Sequence, residues 1–300
     1  MLLFGLAPAL HASSVKPASA LKGGEDPRSG RRLRLGLISS QVAFCFAVLF
    51  AAGLFVATFD RLSDQHLGFS TQRLLTLDTV TQPAQQPALW DQVAEHLRTV
   101  PGVETVALSG WALLDGNGWN GFIYRDGEPV NQVLAYFLGV SPGWIEAMQI
   151  PLIAGRDFRV GDSFPGAAIV NQAFVKQCFN GENPIGKFFE KAVGEGKRPL
   201  LQIVGVVGDA RYRNMREPIT PTAYVPFHSL APKDGLPSVA RGTFIVRTSN
   251  SNPLALASIL RQEVQRARPE FRVSNIRTQT ELVQRHTLRE RLLAMLALFF

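Results

Sequence analysis

The stretch from Leu35 to Phe59, LGLISSQVAFCFAVLFAAGLFVATF, runs 25 residues without a charge. Crossing the hydrocarbon core of a bilayer takes about 20 predominantly apolar residues, so this segment is long enough, with room for tilt. Inside lipid a lone segment satisfies its backbone N–H and C=O groups only as a helix. A buried helix of a soluble protein is the competing reading, but such helices seldom run this far uncharged. Residues 35–59 are therefore read as a transmembrane helix. Ser39, Ser40 and Gln41 sit near one end, where polar groups are tolerated or face a neighbouring helix.

The flanks set the orientation. Arg31, Arg32 and Arg34 precede the stretch, whereas Asp60, Arg61 and Asp64 follow it. The positive-inside rule puts residues 1–34 in the cytoplasm and residue 60 onward outside, the periplasmic side of a bacterial inner membrane. Of the formal charge of +7, residues 1–34 carry +4 and residues 285–291 carry +2, leaving +1 for everything between. Basicity confined to two short clusters beside apolar segments points to a lipid bilayer and excludes a nucleic-acid-binding face. Two cysteines rule out a disulfide scaffold and a Cys-based zinc cluster. Cys45 lies in the membrane and Cys178 outside it, so they cannot pair.

Nine apolar residues, Leu292–Phe300, follow the second basic cluster. They are too few to span, and residues 289–300 read as the start of a second, truncated transmembrane helix. Arg285, Arg289 and Arg291 would then sit on the outer side against the charge rule, where they can meet lipid phosphates. Leu2–Leu10 is apolar but lacks the basic n-region of a signal peptide. It reads as the tail of an earlier helix or a membrane-surface segment within the basic region 1–34.

The outer domain, 60–288, reads as α+β, with a repeated grammar. Residues 74–81 (LLTLDTVT) alternate as a half-buried strand does. A helix follows from Pro87, its face carried by Leu89, Val93, Leu97 and Val100. Pro101-Gly102 stops it, and 103–109 is the next strand. The pattern returns as a strand at 243–248, a cap at Asn252 with Pro253, a helix face of Leu256, Leu260, Val264 and Ala267, a stop at Pro269 and a strand at 271–278. Two such units suggest a duplicated, split βαβ sandwich. Between them lies an inserted subdomain, about 110–198, with a short helix opening at Ser141-Pro142, a strand at 167–170 and a helix capped by Asn171. The apolar run 200–212 reads as a central strand buried on both faces.

Chemistry is conspicuous by its scarcity. Gly181-Glu-Asn-Pro-Ile-Gly186-Lys187 has phosphate-loop spacing, but Phe188 stands where magnesium needs a hydroxyl, and a helix rather than a strand precedes it. His11, His66, His96, His228 and His286 are scattered without metal-ligand spacing. Asp209, after the apolar run, is assigned a turn-capping role because no second catalytic group accompanies it. Ser13 and Lys16 match S-x-x-K without its companion motifs. Trp111, Trp119 and Trp144 read as core or loop anchors. No catalytic, cofactor-binding or metal residue is assigned, no cofactor is expected, and the chain is not read as an enzyme.

The order of several segments nevertheless resembles a known family. RRLRLGLISSQVAFCFAVLFAAGLFVATFDRL leads into GFSTQRLLTL; then come SPGWIEAMQIPLIAGRDF, AAIVNQAFVKQCF with NPIGKFF, IVGVVGDARYRNMREPITPTAYVPF and finally RERLLAMLALFF. Together they resemble the MacB/FtsX-like permeases of ABC transporters, in particular the second module of two-module bacterial permeases. The resemblance implies one helix, an outer domain of porter-like and inserted subdomains, and three further helices. It also implies a separate cytoplasmic ATPase as partner, a periplasmic adaptor or outer-membrane component, pairing of two permease modules, and transmission of ATP-driven motion across the membrane. The alternative reading is a membrane-anchored periplasmic sensor or scaffolding domain that moves nothing.

Overall fold

A computed structural model describes residues 27–63, 65–162, 166–192, 198–227 and 238–299. The apolar segment Leu2–Leu10, the Ser13–Lys16 motif, His11 and His228 lie outside these residues. Helix α1, Pro27–Ser63, contains an apolar span over Leu35–Arg61. Its large side chains are turned outward, Phe46 being 69% and Phe50 70% exposed. A core helix of a soluble protein would bury these rings; a helix dissolved in lipid has no need to.

Thr58–Arg291 forms one compact unit. Its first half is the repeated grammar made solid. Strand β1 (Leu74–Gln85), helix α2 (Pro87–Arg98) and strand β2 (Val103–Ser109) make one unit. Strand β10 (Val239–Thr248), helix α5 (Ala257–Ala267) and strand β11 (Phe271–Thr278) make the other. The strand order is β11-β1-β10-β2, and every adjacent pair is antiparallel. Each βαβ unit is thus split by a strand of the other, the ferredoxin-like arrangement. Register follows the pleat: Leu77 faces Phe244 and Ile276 across the sheet, and Phe244 faces Leu108. Leu75, Leu77, Val106, Leu108, Phe244 and Val246 meet Trp90, Val93, Leu97, Leu260 and Val264 of the helices in one apolar core.

Two local expectations need correction here. Strand β1 is not half-buried: Leu74 to Leu77 are all fully covered, because Leu74, Ala107 and Ile245 on the second face enter a central core with Trp144, Ala147 and Met148. Asn252 makes no capping hydrogen bond, and Pro253–Leu256 winds as a 3-10 turn before α5 begins.

The inserted elements are strands β3 (Trp119–Arg125), β4 (Glu128–Val140), β5 (Leu152–Gly155), β6 (Ala167–Asn171), β7 (Phe188–Lys191), β8 (Leu200–Val207) and β9 (Thr222–Pro226). Helices α3 (Trp144–Met148) and α4 (Gln172–Cys178) lie among them. β4 runs parallel to β9 and β6 parallel to β8, while the remaining neighbours are antiparallel. Among the described residues the two parts of the sheet are bridged at Ser109 and Val140, where the Gly110 N–H donates to the Gly139 carbonyl and the Ser141 N–H to the Leu108 carbonyl. β8 bonds to β5, β6 and β7, just past the expected edge of the insertion near 198. It is not buried on both faces throughout: Leu200 is exposed and Gln202 and Val204 are partly so, and only Gly205 to Val207 are covered without interruption. The last helix, α6 (Gln279–Phe299), starts well before the apolar residues at the chain end.

Candidate functional site

Among the described residues, the best-defined constellation is the one that joins β11 to the first turns of α6. β11 passes into α6 with no residue between, since Thr278 ends one and Gln279 opens the other. Thr278 and Glu281 form a reciprocal capping box. The Thr278 N–H donates to Glu281 Oε2 at 3.0 Å, and the Glu281 N–H donates to Thr278 Oγ1 at 3.0 Å. Gln279, fully buried, donates from Nε2 to the carbonyl of Leu113 at 2.8 Å. Leu282 is buried in the central core, and His286 Nε2 lies 2.9 Å from the carbonyl of Leu114. The first two turns of α6 are therefore held by the loop after β2.

That loop is held in turn by the segment after β8. Leu114, at a φ of 62°, donates its N–H to the carbonyl of Tyr212 at 2.8 Å. The Tyr212 hydroxyl donates to the carbonyl of Phe137 at 2.6 Å, and burial pushes this phenol far above its ordinary range. Arg211 Nη1 bonds the carbonyls of Met215 and Glu217 at 2.9 and 2.7 Å, and desolvation lowers its affinity for the proton. Gly68 completes the clasp. Its φ is +81°, and a Cβ there would lie 1.8 Å from the carbonyl oxygen of Asp209, so only glycine fits.

Two arginines do the remaining stitching. Arg247, 4% exposed, donates to the Ala147 carbonyl from Nε and Nη2 at 2.9 and 2.6 Å and to the Gln72 carbonyl at 2.9 Å. It ties β10 to α3 and to the segment entering β1. Arg277 of β11 pairs with Asp78 of β1 and lies 3.5 Å from Asp115. Burial raises the pKa of Asp115, and the guanidinium of Arg277 opposes that rise.

The residues singled out from sequence fall elsewhere. Asp209 does not cap its own turn: its Oδ1 accepts the N–H of Ala173 at 2.8 Å and so serves the first turn of α4. Asn171 caps that helix as expected, accepting from Phe174 at 2.9 Å. Gly181 and Gly186 both have φ near +80°, and the turn they frame runs from α4 into β7, with Lys187 paired to Glu182 at 2.7 Å. That order, helix to strand, is the reverse of a phosphate loop. His96 pairs with Glu263 at 2.7 Å, and Trp144 is fully buried. Lys191, on β7, is buried with its ammonium 3.6 Å from the centre of the Trp119 ring, a cation–π contact. Among the described residues no cluster of three or more His, Cys, Asp or Glu is arranged to hold a metal ion.

The fold and this fastening can be set beside known proteins. The profile of the MacB-like periplasmic core domain matches residues 37–263. The chain belongs to this family. The family is one of permease-type transporter components, and α1, long and apolar enough to cross a membrane, precedes the periplasmic-type domain as a candidate anchor. Among crystal structures, the periplasmic region of MacB from Actinobacillus actinomycetemcomitans is 14% identical, with 75% of this chain and 97% of that one covered and a TM-score of 0.49. The extracellular domain of the noncanonic ABC-type transporter YknZ from Gram-positive bacteria is 16% identical, covering 67% and 100%, with a TM-score of 0.43. Among proteins of curated function, none matches this MacB-like chain.

The capping box was readable in advance as Thr278-Gln-Thr-Glu281, the T-x-x-E signature of a helix start. No local signal points to Gln279–Leu113 or Tyr212–Phe137, because each bond joins a side chain to a backbone carbonyl far away in sequence.

Proposed function

We propose that this chain is a mechanotransmission element, passing movement between a separate cytoplasmic ATPase and the periplasmic side of an export-type ABC system. The observation that carries the reading is the linkerless joint between β11 and α6. A capping box, the Gln279 bond and the buried Leu282 leave the start of the helix no freedom to move without the sheet. A flexible tether would suffice for a domain that only binds; a stiff joint is what force transfer requires. In this reading residues 1–34 face the cytoplasm, the domain faces the periplasm, and two permease modules work as a pair with a periplasmic adaptor or outer-membrane component.

Affinity purification of the full chain from native membranes tests it. Recovery of an ABC ATPase together with a periplasmic or outer-membrane protein is expected. Recovery of neither, from membranes in which the chain is intact, would overturn the reading in favour of an anchored sensor or scaffold. Alkaline phosphatase fused after residue 240 should be active, and a stable but inactive fusion refutes the periplasmic placement.

A further inference from the structure

Arg285, Arg289 and Arg291 on α6 are exposed, and among the described residues none of them carries a hydrogen bond or ion pair. Exposed arginines with nothing to answer them are unremarkable on a free surface. In the topology proposed above, these fall on the side where the charge rule disfavours them. Arg285 and Arg291 line a groove of about 700 Å³, together with Arg277 and the apolar side chains of Phe59, Ile276 and Leu288. Phe59 lies at the end of the apolar span Leu35–Arg61, so with α1 crossing the membrane the groove sits where hydrocarbon gives way to water.

The charge in the groove is unbalanced. Arg277 is already answered by Asp78 and Asp115. Glu281 is the one carboxylate among the described lining residues, and its Oε2 is engaged by the Thr278 N–H. Arg285 and Arg291 are left facing a space whose other walls include an aromatic ring and two aliphatic side chains. Two cations beside an apolar wall, at the depth of the headgroups, complement one class of molecule: a phosphodiester joined to acyl chains.

We propose that this groove is a binding site for an anionic glycerophospholipid, with the headgroup phosphate held by Arg285 and Arg291 and the upper acyl carbons against Phe59 and Leu288. The inference rests on the membrane reading of α1 and is independent of any ATPase or adaptor. A lipid seated there would bridge the end of the span and the first turns of α6, and so stiffen the joint described above.

The test uses the full chain in detergent, examined by native mass spectrometry with added phosphatidylglycerol, phosphatidylcholine or inorganic phosphate. The wild-type chain should retain phosphatidylglycerol in preference to phosphatidylcholine, and inorganic phosphate should not displace it. R285Q and R291Q should each weaken retention by about fivefold, in keeping with the usual contribution of one basic residue near an anionic lipid surface. R285K/R291K should keep most of the binding, since a phosphate accepts a point charge. R289Q, outside the groove, should leave it unchanged. Circular dichroism melting of each variant separates loss of lipid from loss of fold, and the single variants decide the matter if R285Q/R291Q does not fold. Undiminished phosphatidylglycerol retention in folded R285Q and R291Q, equal retention of phosphatidylcholine, or displacement by inorganic phosphate would each overturn the assignment.

Discussion

The two parts of the outer domain are built by different means. The ferredoxin-like part, β11-β1-β10-β2 under α2 and α5, assembles from two strand–helix–strand units in which each helix packs beside strands adjacent in sequence. The inserted part relies on parallel pairs, β4 with β9 and β6 with β8, and a core of Phe137, Phe174, Phe179 and Phe189 gathered from separate strands and a short helix. Parallel pairing needs long connections, so this half owes more of its order to distant contacts. The central core joins them: Leu74, Ala107 and Ile245 from one half meet Leu138, Ile169 and Tyr224 from the other. The halves therefore differ in how far apart in sequence their partners lie, yet they share one buried core.

That comparison breaks most decisively at Trp90. Its ring is fully buried, 4.9 Å from Phe271, 5.7 Å from Phe244 and 5.8 Å from Phe227, and its Nε1 donates to the Val239 carbonyl. Trp90→Ala should cost about 3–5 kcal/mol. The reporter is Cys178, in the opposite half, whose thiol burial pushes up to about 12. Few thiolates exist near neutral pH, so alkylation of Cys178 awaits opening of the inserted half. In a Cys45→Ser background, Trp90→Ala should speed that alkylation by about a hundredfold or more, the factor its cost implies if the halves open together. An unchanged rate would show that they open independently.

Tyr212→Phe sharpens the same comparison from the other side. It leaves the buried carbonyl of Phe137 without its 2.6 Å donor, and the expected loss is about 1–3 kcal/mol. Alkylation of Cys178 again reads it, and an effect as large as that of Trp90→Ala would mean the inserted half is the weaker partner.

A local effect comes next. The loop 156–162 is held by Arg156, whose guanidinium bonds Asp162 at 2.7 and 3.1 Å and keeps that carboxyl below its ordinary value of 3.8. A lowered acid pKa contributes stability that is fully present above 3.8 and lost as pH falls through the still lower native value. Hydrogen exchange corrected for intrinsic rate should find this loop protected at neutral pH and exposed at strong acidity, with Arg156→Gln exposed at both. The smallest effect belongs to His96→Ala. Its contact with Glu263 joins α2 to α5 at a partly exposed position, where such pairs contribute under about 1 kcal/mol. A melting shift comparable to that of Tyr212→Phe would contradict this placement.

The sequence was most readable where structure is local. The bounds of β2 and β11 and the start of α2 coincide with prolines, glycines and apolar spacing that lie within a few residues of each other. The β3–β4 hairpin was overlooked although Asp126-Gly127, both with positive φ, is the usual signal for its turn. β5, β7 and β9 are short and carry no period of their own. β8 misled because an apolar run cannot say which of its residues find neighbours. The fastening of α6 was legible only in its capping box, because the carbonyls of Leu113 and Leu114 look the same in sequence as any others.

The joint at Thr278 also fixes where the molecule can yield. A hinge needs backbone angles free to turn, and at this corner the strand, the capping box and the Gln279 anchor occupy them. Any tilt of the first turns of α6 must therefore strain both the pairing of β11 with β1, where the Arg277–Asp78 pair resists, and the bonds from Gln279 and His286 to the loop after β2. The load of such a tilt falls on an edge ladder and on the Leu113 and Leu114 carbonyls that hold α6, not on a loop.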